Sequence, residues 1–399
     1  MSDKKPLLLK ICLFDFKNSS RNYRELSAAE EAGFQVMVLA DVLNSPEESG
    51  SIDKEHGFDV YRFSYAPKSN LNFIKKLFSY IKIIIKWTKK TASFNADVIS
   101  CHDIYALLIG YLSNMFKRKS QKAELVYDSH EFEIGRAGTR KYFQSLFIIN
   151  LERFLIKKCV LNIMVTDSIA DEVMRIHKLS VRPLVIRSTP LNWVIDNSII
   201  KKRRKEYIKM VNTEIEPFFV MYHGAIIEDR GIEKLIKIAS INHNIIMIIM
   251  GYTLDKKYFN SLKSIVNNYN IANRVIFLPA VPLENLWEFV GAADIGIVIG
   301  NSESKSHKYG LPNKFFENIQ SLTPFLSPNF YEFNKITEDY DIGLTFDSDN
   351  IEEINECIER TRTDKELYAK FKKNLFVAKE ELCWENEKLK LIEAYKRLI

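Results

Sequence analysis

Short apolar runs alternate along the chain with stretches whose apolar residues recur every three or four positions. This is the pattern of strands interleaved with amphipathic helices around parallel sheets. In the first half the runs at 7–14, 35–40, 98–101, 125–127, 161–165 and 181–186 read as strands. The periodic stretch at 21–32, followed by Gly33 as a C-cap, reads as a helix. The pattern lapses at 196–215, a polar stretch carrying KKRRK at 201–205, whose plain reading is a solvated face and whose alternative is an anion site. A second series then begins: strand 218–222, helix 232–239, strand 245–250, helix 258–269, strand 275–278, helix 284–292 and strand 295–299. The predicted organisation is an N-terminal α/β domain over 1–195, a linker over 196–215 and a second α/β domain over 216–380. A C-terminal helix over 381–399 is expected to pack back toward the first domain.

A length of 399 residues suits two such domains, since one core rarely organises so long a chain. The hydrophobic share of 46% and charged share of 27% fit a globular protein and exclude a disordered or fibrous one. Five scattered cysteines, Cys12, Cys101, Cys159, Cys357 and Cys383, include no C-x-x-C, which fits neither a disulfide framework nor a zinc site. A reducing compartment is expected. The first apolar run is interrupted by Lys10 and followed by Asp15 and Lys17 without a small-residue cleavage site, so it is expected to be a buried strand and not a signal peptide. No run approaches the roughly 18 apolar residues of a membrane span. A cytoplasmic location, or a peripheral one at the inner face of the cell membrane, follows as the expectation.

Net charge is +6 and unevenly placed: residues 60–96 carry eight Lys/Arg and no acid. There Ile74, Leu77, Phe78, Ile81, Ile84, Ile85 and Thr88 share one helical arc, with Lys75, Lys76, Lys82, Lys86, Lys89 and Lys90 on the remainder. Two readings stand. Either the apolar arc packs inward beneath solvated lysines, or the helix meets an anionic membrane surface or a lipid-linked phosphate acceptor. Nucleic acid is not expected, because no stacking module or DNA-binding motif accompanies the charge.

Gly224 and Gly251 fall at the carboxyl ends of predicted strands, where open α/β sheets bind ligands. A nucleotide needs backbone N–H groups and cations around its phosphates, and a carboxylate for its ribose hydroxyls. YHGA at 222–225 leads to EDRGI at 228–232, where Arg230 stands before a helix and can reach a pyrophosphate or pair with a neighbouring acid. GLPNKFFE at 310–317 places loop chemistry before a helix expected to start at Lys314, with free N–H groups at its start. Glu317 stands one turn in, facing a solvated cleft or serving as an ordinary capping glutamate. Neither G-x-G-x-x-G nor a P-loop occurs.

Taken in order, these segments resemble glycosyltransferase family 4, the retaining GT-B enzymes. LPNKFFENIQSLTPFLSP resembles that family's segment holding the donor ribose, YHGAIIEDRGIEKLI its phosphate-binding strand and helix, and VYDSHE at 126–131 the segment whose His lies beside the transferred sugar. DVISCHDIYALLIG and IANRVIFLPAVPLENLWEFVGAADIGIVI match further elements, so the likeness spans nearly the whole chain. It implies an α/β fold of two facing Rossmann-like domains with a cleft between them, the first on the acceptor side and the second binding the nucleotide sugar. It also implies transfer of a sugar from a UDP- or GDP-sugar to a glycan or lipid-linked acceptor in surface polysaccharide assembly, with retention and without a metal or other cofactor. The donor is assigned to Gly224, Arg230, Gly251, Gly310, Leu311, Pro312, Asn313, Lys314 and Glu317, with Glu317 on the ribose. Arg230, Lys314 and backbone N–H groups at 310–313 would stabilise the departing diphosphate. His130 would orient a sugar hydroxyl and Asp128 would be structural.

Three departures stand out. The family often has two glutamates separated by seven residues, yet Tyr309 occupies the first position; Ala225 stands where a second phosphate-binding Arg is common; and DFKNSSR at 15–21 replaces the family's glycine-rich loop. A nucleotide-sugar 2-epimerase or phosphorylase on the same fold, or a non-catalytic subunit of a glycan assembly complex, is the alternative.

Overall fold

The computed structural model describes residues 5–14, 16, 19–42, 50–64, 73–135, 142–211, 217–300 and 305–399. Asp15, Lys17 and Asn18 of the segment replacing a glycine-rich loop, and the side chains of Ile74, Lys76, Leu77 and Asp229, lie outside the described residues. The chain divides into two compact units: Met1–Arg187 with Glu387–Ile399, and Ser188–Asn386.

The first unit opens with β1 (Leu7–Cys12), whose residues from Leu8 onward are all buried, as expected of a strand covered on both faces. It continues through α1 (Ser20–Ala32), β2 (Gln35–Ala40), β3 (Ile52–Glu55), β4 (Phe58–Arg62), α2 (Phe73–Ser93), β5 (Val98–His102) and α3 (Asp103–Met115). Then come β6 (Glu124–Asp128), α4 (Tyr142–Leu155), β7 (Leu161–Met164), α5 (Asp167–His177) and β8 (Leu184–Val185). The sheet order is β3-β4-β2-β1-β5-β6-β7-β8, parallel except for β3 against β4. Gly33 ends α1 at φ 117°, its N–H donating to Glu30 O at 3.0 Å. The β3–β4 hairpin escapes the sequence pattern because its alternation is short and polar. His56 and Gly57 turn it with positive φ at both positions, the conformation a two-residue hairpin loop requires.

Helix α2 is turned differently from the inward arc expected of it. Among its described side chains Trp87, Thr88 and Thr91 are the buried ones, and Trp87 Nε1 donates to Ser64 O at 3.1 Å. Phe78, Ile81 and Ile85 are exposed. Burying the indole outweighs burying any single aliphatic chain, so Trp87 sets the rotation of the helix.

The second unit begins with α6 (Asn197–Met210), where a linker is expected from sequence. Asp196 caps it, accepting from Ser198 N. The basic run is what fastens it: Arg203 pairs with Glu288 at 3.0 Å, Arg204 with Asp294 at 3.0 Å, and Tyr207 OH donates to Phe289 O. The unit continues with β9 (Phe218–His223), α7 (Ile232–Ile241), β10 (Ile245–Gly251), α8 (Lys256–Asn268), β11 (Val275–Pro279), α9 (Leu286–Val290) and β12 (Ile295–Ile297). It ends with α10 (Lys305–Tyr309), α11 (Asn313–Gln320), β13 (Phe325–Pro328), α12 (Tyr331–Tyr340), β14 (Gly343–Phe346), α13 (Ile351–Thr363) and α14 (Lys365–Glu381). The order β11-β10-β9-β12-β13-β14, all parallel, is the doubly wound Rossmann arrangement. Helix α15 (Trp384–Lys396) starts in this unit and finishes in the first, where Leu391 and Tyr395 are buried and Tyr395 packs edge-on against Phe34. Among the described residues no helix is long and apolar enough to cross a membrane.

Helix α11 rests on an aromatic cluster: Phe315 meets Phe316, Phe325 and Phe333 edge-to-face at 4.8–5.4 Å between centroids. Truncating that ring should leave a cavity no neighbour can refill. Phe315→Ala is expected to lower the unfolding free energy by about 3–5 kcal/mol, measured by urea denaturation.

Candidate functional site

In the second unit β9 and β12 lie side by side while their connections run to opposite edges of the sheet, so the carboxyl end of β9 is the topological switch point. That end carries His223 and Gly224. Gly224 sits at φ 128°, a conformation side chains avoid, and its carbonyl oxygen is 1.7 Å from where a Cβ on Gly251 would lie. Gly251 is thus a close-packing position against Gly224, while Gly224 leaves bare backbone beside Lys314, whose Nζ is 3.6 Å from where a Cβ on Gly224 would lie. Gly310 is tight as well: its N–H donates to Ser306 O at 3.0 Å, and a Cβ would come within 2.7 Å of that oxygen.

Helix α11 starts at Asn313, with Pro312 at the N-cap in extended conformation and no side chain capping the first turn. Leu311 turns its side chain into the aromatic cluster, leaving only its backbone for a ligand, while Asn313 is exposed. Lys314 is buried, at 8% exposure, with Nζ 4.1 Å from the centroid of the Tyr222 ring and no hydrogen-bond partner among the described residues. Burial pushes its amine down to about 7, with the positive charge of Arg230 adding to the effect and Glu317 opposing it. Arg230 closes a short turn, Glu228–Arg230, and Gly231 at φ 70° passes the chain into α7.

Glu317 differs from its expected solvated position. It is only 9% exposed, and its Oε2 accepts from His223 Nε2 at 3.0 Å. The amphipathic pattern of α11 explains this: Glu317 falls between Phe316 and Asn318 on a helix whose every residue from Lys314 to Gln320 is buried. His223 was visible in the YHGA motif, but nothing in its spacing marked it as the partner of a residue 94 positions away.

The first unit has its own concentration of charge at the carboxyl ends of β1, β5 and β6. Lys10 Nζ donates to Glu25 Oε2 at 3.0 Å and to Asp128 Oδ2 at 2.5 Å, all three side chains being 1–2% exposed. Arg21 Nε reaches Glu25 Oε1 at 2.6 Å and its Nη1 donates to Ile186 O. His130 Nε2 lies 3.1 Å from Asp128 Oδ2, and its ring packs edge-on against His102 at 3.8 Å. Burial alone would strip Lys10 of its proton, but Asp128 and Glu25 outweigh it and hold the ammonium well above the usual lysine range. Burial likewise opposes the Asp128 carboxylate, and Lys10 with His130 and Arg21 holds it well below its ordinary value. His130 is raised, Asp128 overcoming its desolvation, whereas burial and the charge on His130 push His102 well down. Of these two edge-on rings His130 is therefore the more basic. Lys10 is the signal that sequence reading underused: a lone charge inside LLLKICLF has to meet an acid somewhere.

His102, Asp128 and His130 bring potential metal-ligand atoms within 4.8 Å of one another. A dication there would stand beside Lys10 and Arg21, and Asp128 is already neutralised by them, so the donor set does not suit one. A cavity of about 290 Å³ in the second unit lies at the amino ends of β9 and β10, opposite to His223 and Gly251. Its arginines are engaged: Arg204 by Asp294, Arg362 by Glu359, and Arg274 by the carbonyls of Ala239 and Asn242.

A family model described as glycosyl transferases group 1 matches residues 203–376, and one described as glycosyltransferase family 4 matches residues 22–187. Among curated proteins none matches the chain. Solved structures of similar fold include sucrose-phosphate synthase from Thermosynechococcus elongatus, with a TM-score of 0.78 and 14% identity over 99% of each chain. HepE of Anabaena in complex with UDP gives 0.73 and 14% over 98% of this chain and 99% of that one. WaaG, a glycosyltransferase involved in lipopolysaccharide biosynthesis, gives 0.64 and 15% over 96% and 99%. At such identities the likeness to solved structures concerns the fold.

The network around Lys10 makes a stability prediction with a definite sign. Asp128→Asn leaves Lys10 and Arg21 short of a counter-charge, and breaking such a buried pair costs about 3–5 kcal/mol, to be read from urea unfolding at neutral pH. A depressed carboxylate stabilises above its unfolded value and loses that contribution as pH falls through its folded value. The gap between wild type and variant should therefore narrow only once pH drops below the ordinary aspartate value of 3.8.

Proposed function

Because the chain belongs to the family 4 type of glycosyltransferases, with the paired Rossmann-like domains of the GT-B fold, we propose that it moves a sugar from a UDP- or GDP-linked donor to a glycan or lipid-linked acceptor. Transfer proceeds with retention of configuration, in surface polysaccharide assembly at the inner, anionic face of the cell membrane. The observation that carries the donor half is Lys314: a buried amine without a hydrogen-bond partner among the described residues, beside bare backbone at a switch point. Against the charge of Arg230 such an amine has only the Glu317 carboxylate, to which it is not hydrogen-bonded, and a diphosphate would supply a bonded counter-charge. The UDP in HepE supports a uridine nucleotide, and the process named for WaaG supports a surface glycan acceptor.

In this reading Glu317 accepts from the ribose hydroxyls while His223 fixes its carboxylate. Arg230, Lys314 and the backbone N–H groups at 310–313, with Gly224 and Gly251 allowing close approach, take up the charge that develops on the leaving diphosphate. The bond from the anomeric carbon to the phosphate oxygen breaks, the acceptor oxygen bonds on the same face, and its proton passes to the departing phosphate. His130 holds a hydroxyl of the transferred sugar. Two protein cations do the neutralising, so no metal or other cofactor enters the step.

Two measurements test this. A carboxylate bonded to a ribose contributes about 1.5–3 kcal/mol per charge-assisted contact, so Glu317→Gln should lower kcat/KM for the donor by about 10- to 100-fold. The amide can retain the contact to His223, so the fold should persist; donor binding at wild-type strength by calorimetry would remove Glu317 from the ribose. The second measurement is the pH dependence of donor binding in excess EDTA. Lys314 titrates near 7 when free and is raised by a bound diphosphate, so affinity should be greatest below pH 7 and fall by up to about tenfold per unit above it. Lys314→Met should bind more weakly and without that slope, and binding lost on chelation would overturn the metal-free step.

A further inference from the structure

The outward face of α2 carries solvated lysines and part of its apolar arc side by side. At about 100° per residue, Ile81, Ile85 and Phe78 occupy a sector of about 60°, and Lys89, Lys82, Lys75 and Lys86 fill the adjoining sector of about 60°. The whole arc points to solvent: Phe78 is 60% exposed, Ile81 45% and Ile85 47%, and the four lysines are exposed. Helix α3 packs against both α2 and α4, so the three form one layer over the sheet. Helix α4 adds Phe147, 65% exposed, and Phe154, over whose ring Lys158 places its Nζ at 5.4 Å. Acids are nearly missing from these helices in sequence: α2 has none, α3 has only its first residue, Asp103, and α4 has only Glu152, which is buried.

We propose that the outer face of α2 and α4 docks on an anionic lipid bilayer, with Phe78, Ile81, Ile85 and Phe147 entering the boundary between headgroups and acyl chains while the α2 lysines meet lipid phosphates. The proposal deepens the membrane partner named above and rests on that reading for the acceptor's place, not for the surface itself. Charge decides the occupant. In a symmetric dimer the patch would meet its own copy and set lysines against lysines, whereas a bilayer of anionic lipid offers the opposite sign and an apolar layer beneath it. Helix α2, at 21 residues, is long enough to lie in that plane without needing to span it.

The test is co-sedimentation of the full chain with vesicles of phosphatidylcholine alone or mixed with phosphatidylglycerol, at low and high salt. Binding to the anionic vesicles should exceed binding to neutral ones by at least about tenfold and weaken with salt. Two variants separate the contributions: Lys75→Gln/Lys82→Gln/Lys86→Gln/Lys89→Gln should abolish the anionic preference, and Phe78→Ser/Ile81→Ser/Ile85→Ser should lose binding even at low salt. Both should keep the wild-type melting temperature and wild-type affinity for a UDP-sugar by calorimetry. Equal binding to the two vesicle types, or a lysine variant that binds like wild type, overturns the proposal. So does a concentration-dependent dimer that the serine variant abolishes while vesicle binding stays unchanged. Loss of UDP-sugar binding by the wild type would instead strike the donor reading and leave the lipid surface standing.

Discussion

An ammonium group taken out of water must be given something in place of its hydration, and the two units of this chain meet that requirement in opposite ways. Lys10 is enclosed by Glu25 and Asp128, with Arg21 and His130 completing the charge balance. Its charge is fixed, and β1, α1 and β6 are fastened to one another through it. Lys314 is buried as well but has an aromatic face and no hydrogen-bond partner in the described residues. Its charge is left conditional. The first lysine is a structural cross-link among three elements; the second is a group whose best partner has yet to arrive.

That contrast orders the rest. In the first unit the cluster consolidates the carboxyl ends of the central strands and holds the His130 ring by Asp128, leaving 18% of its side chain accessible. In the second unit the corresponding edge is held with less charge: Gly224 and Gly251 pack without side chains, α11 begins without a side-chain cap, His223 bonds Glu317, and the aromatic cluster beneath Phe315 supplies the rigidity. A helix that is buried along most of its length can hold Glu317 and Lys314 in place with few polar contacts.

Much of this was legible in the sequence where one physical rule dominated. Parallel strands covered on both faces must be apolar throughout, so β9 and β10 appear in the sequence nearly at their observed limits, and Gly33 announces the end of α1. Reading failed where two rules compete. The stretch at 197–210 is polar enough to pass for a linker, yet its arginines dock a helix by ion pairs that hydrophobic periodicity does not register. In α2 the wheel grouped the aliphatic residues correctly, but one indole at Trp87 decided which side faced the sheet. For Glu317 the motif placed the residue on the right turn; the depth of burial came from His223 and the phenylalanines around it, which are tertiary neighbours.

The path of α15 has a consequence for how the molecule comes into being. The first unit is discontinuous: Leu391 and Tyr395 complete its interior, and Glu387 accepts from the Arg187 N–H, although 199 residues of the other unit intervene. During synthesis the amino-terminal unit therefore emerges without its last buried helix and has to wait, partly open, until residues 387–399 leave the ribosome. The second unit, contiguous from Ser188 to Asn386, has all of its own sequence by then. The usual order, in which the part made first is finished first, is reversed here. A chain truncated a few residues short of Leu391 and released would hold a complete carboxyl-terminal unit attached to an unfinished amino-terminal one.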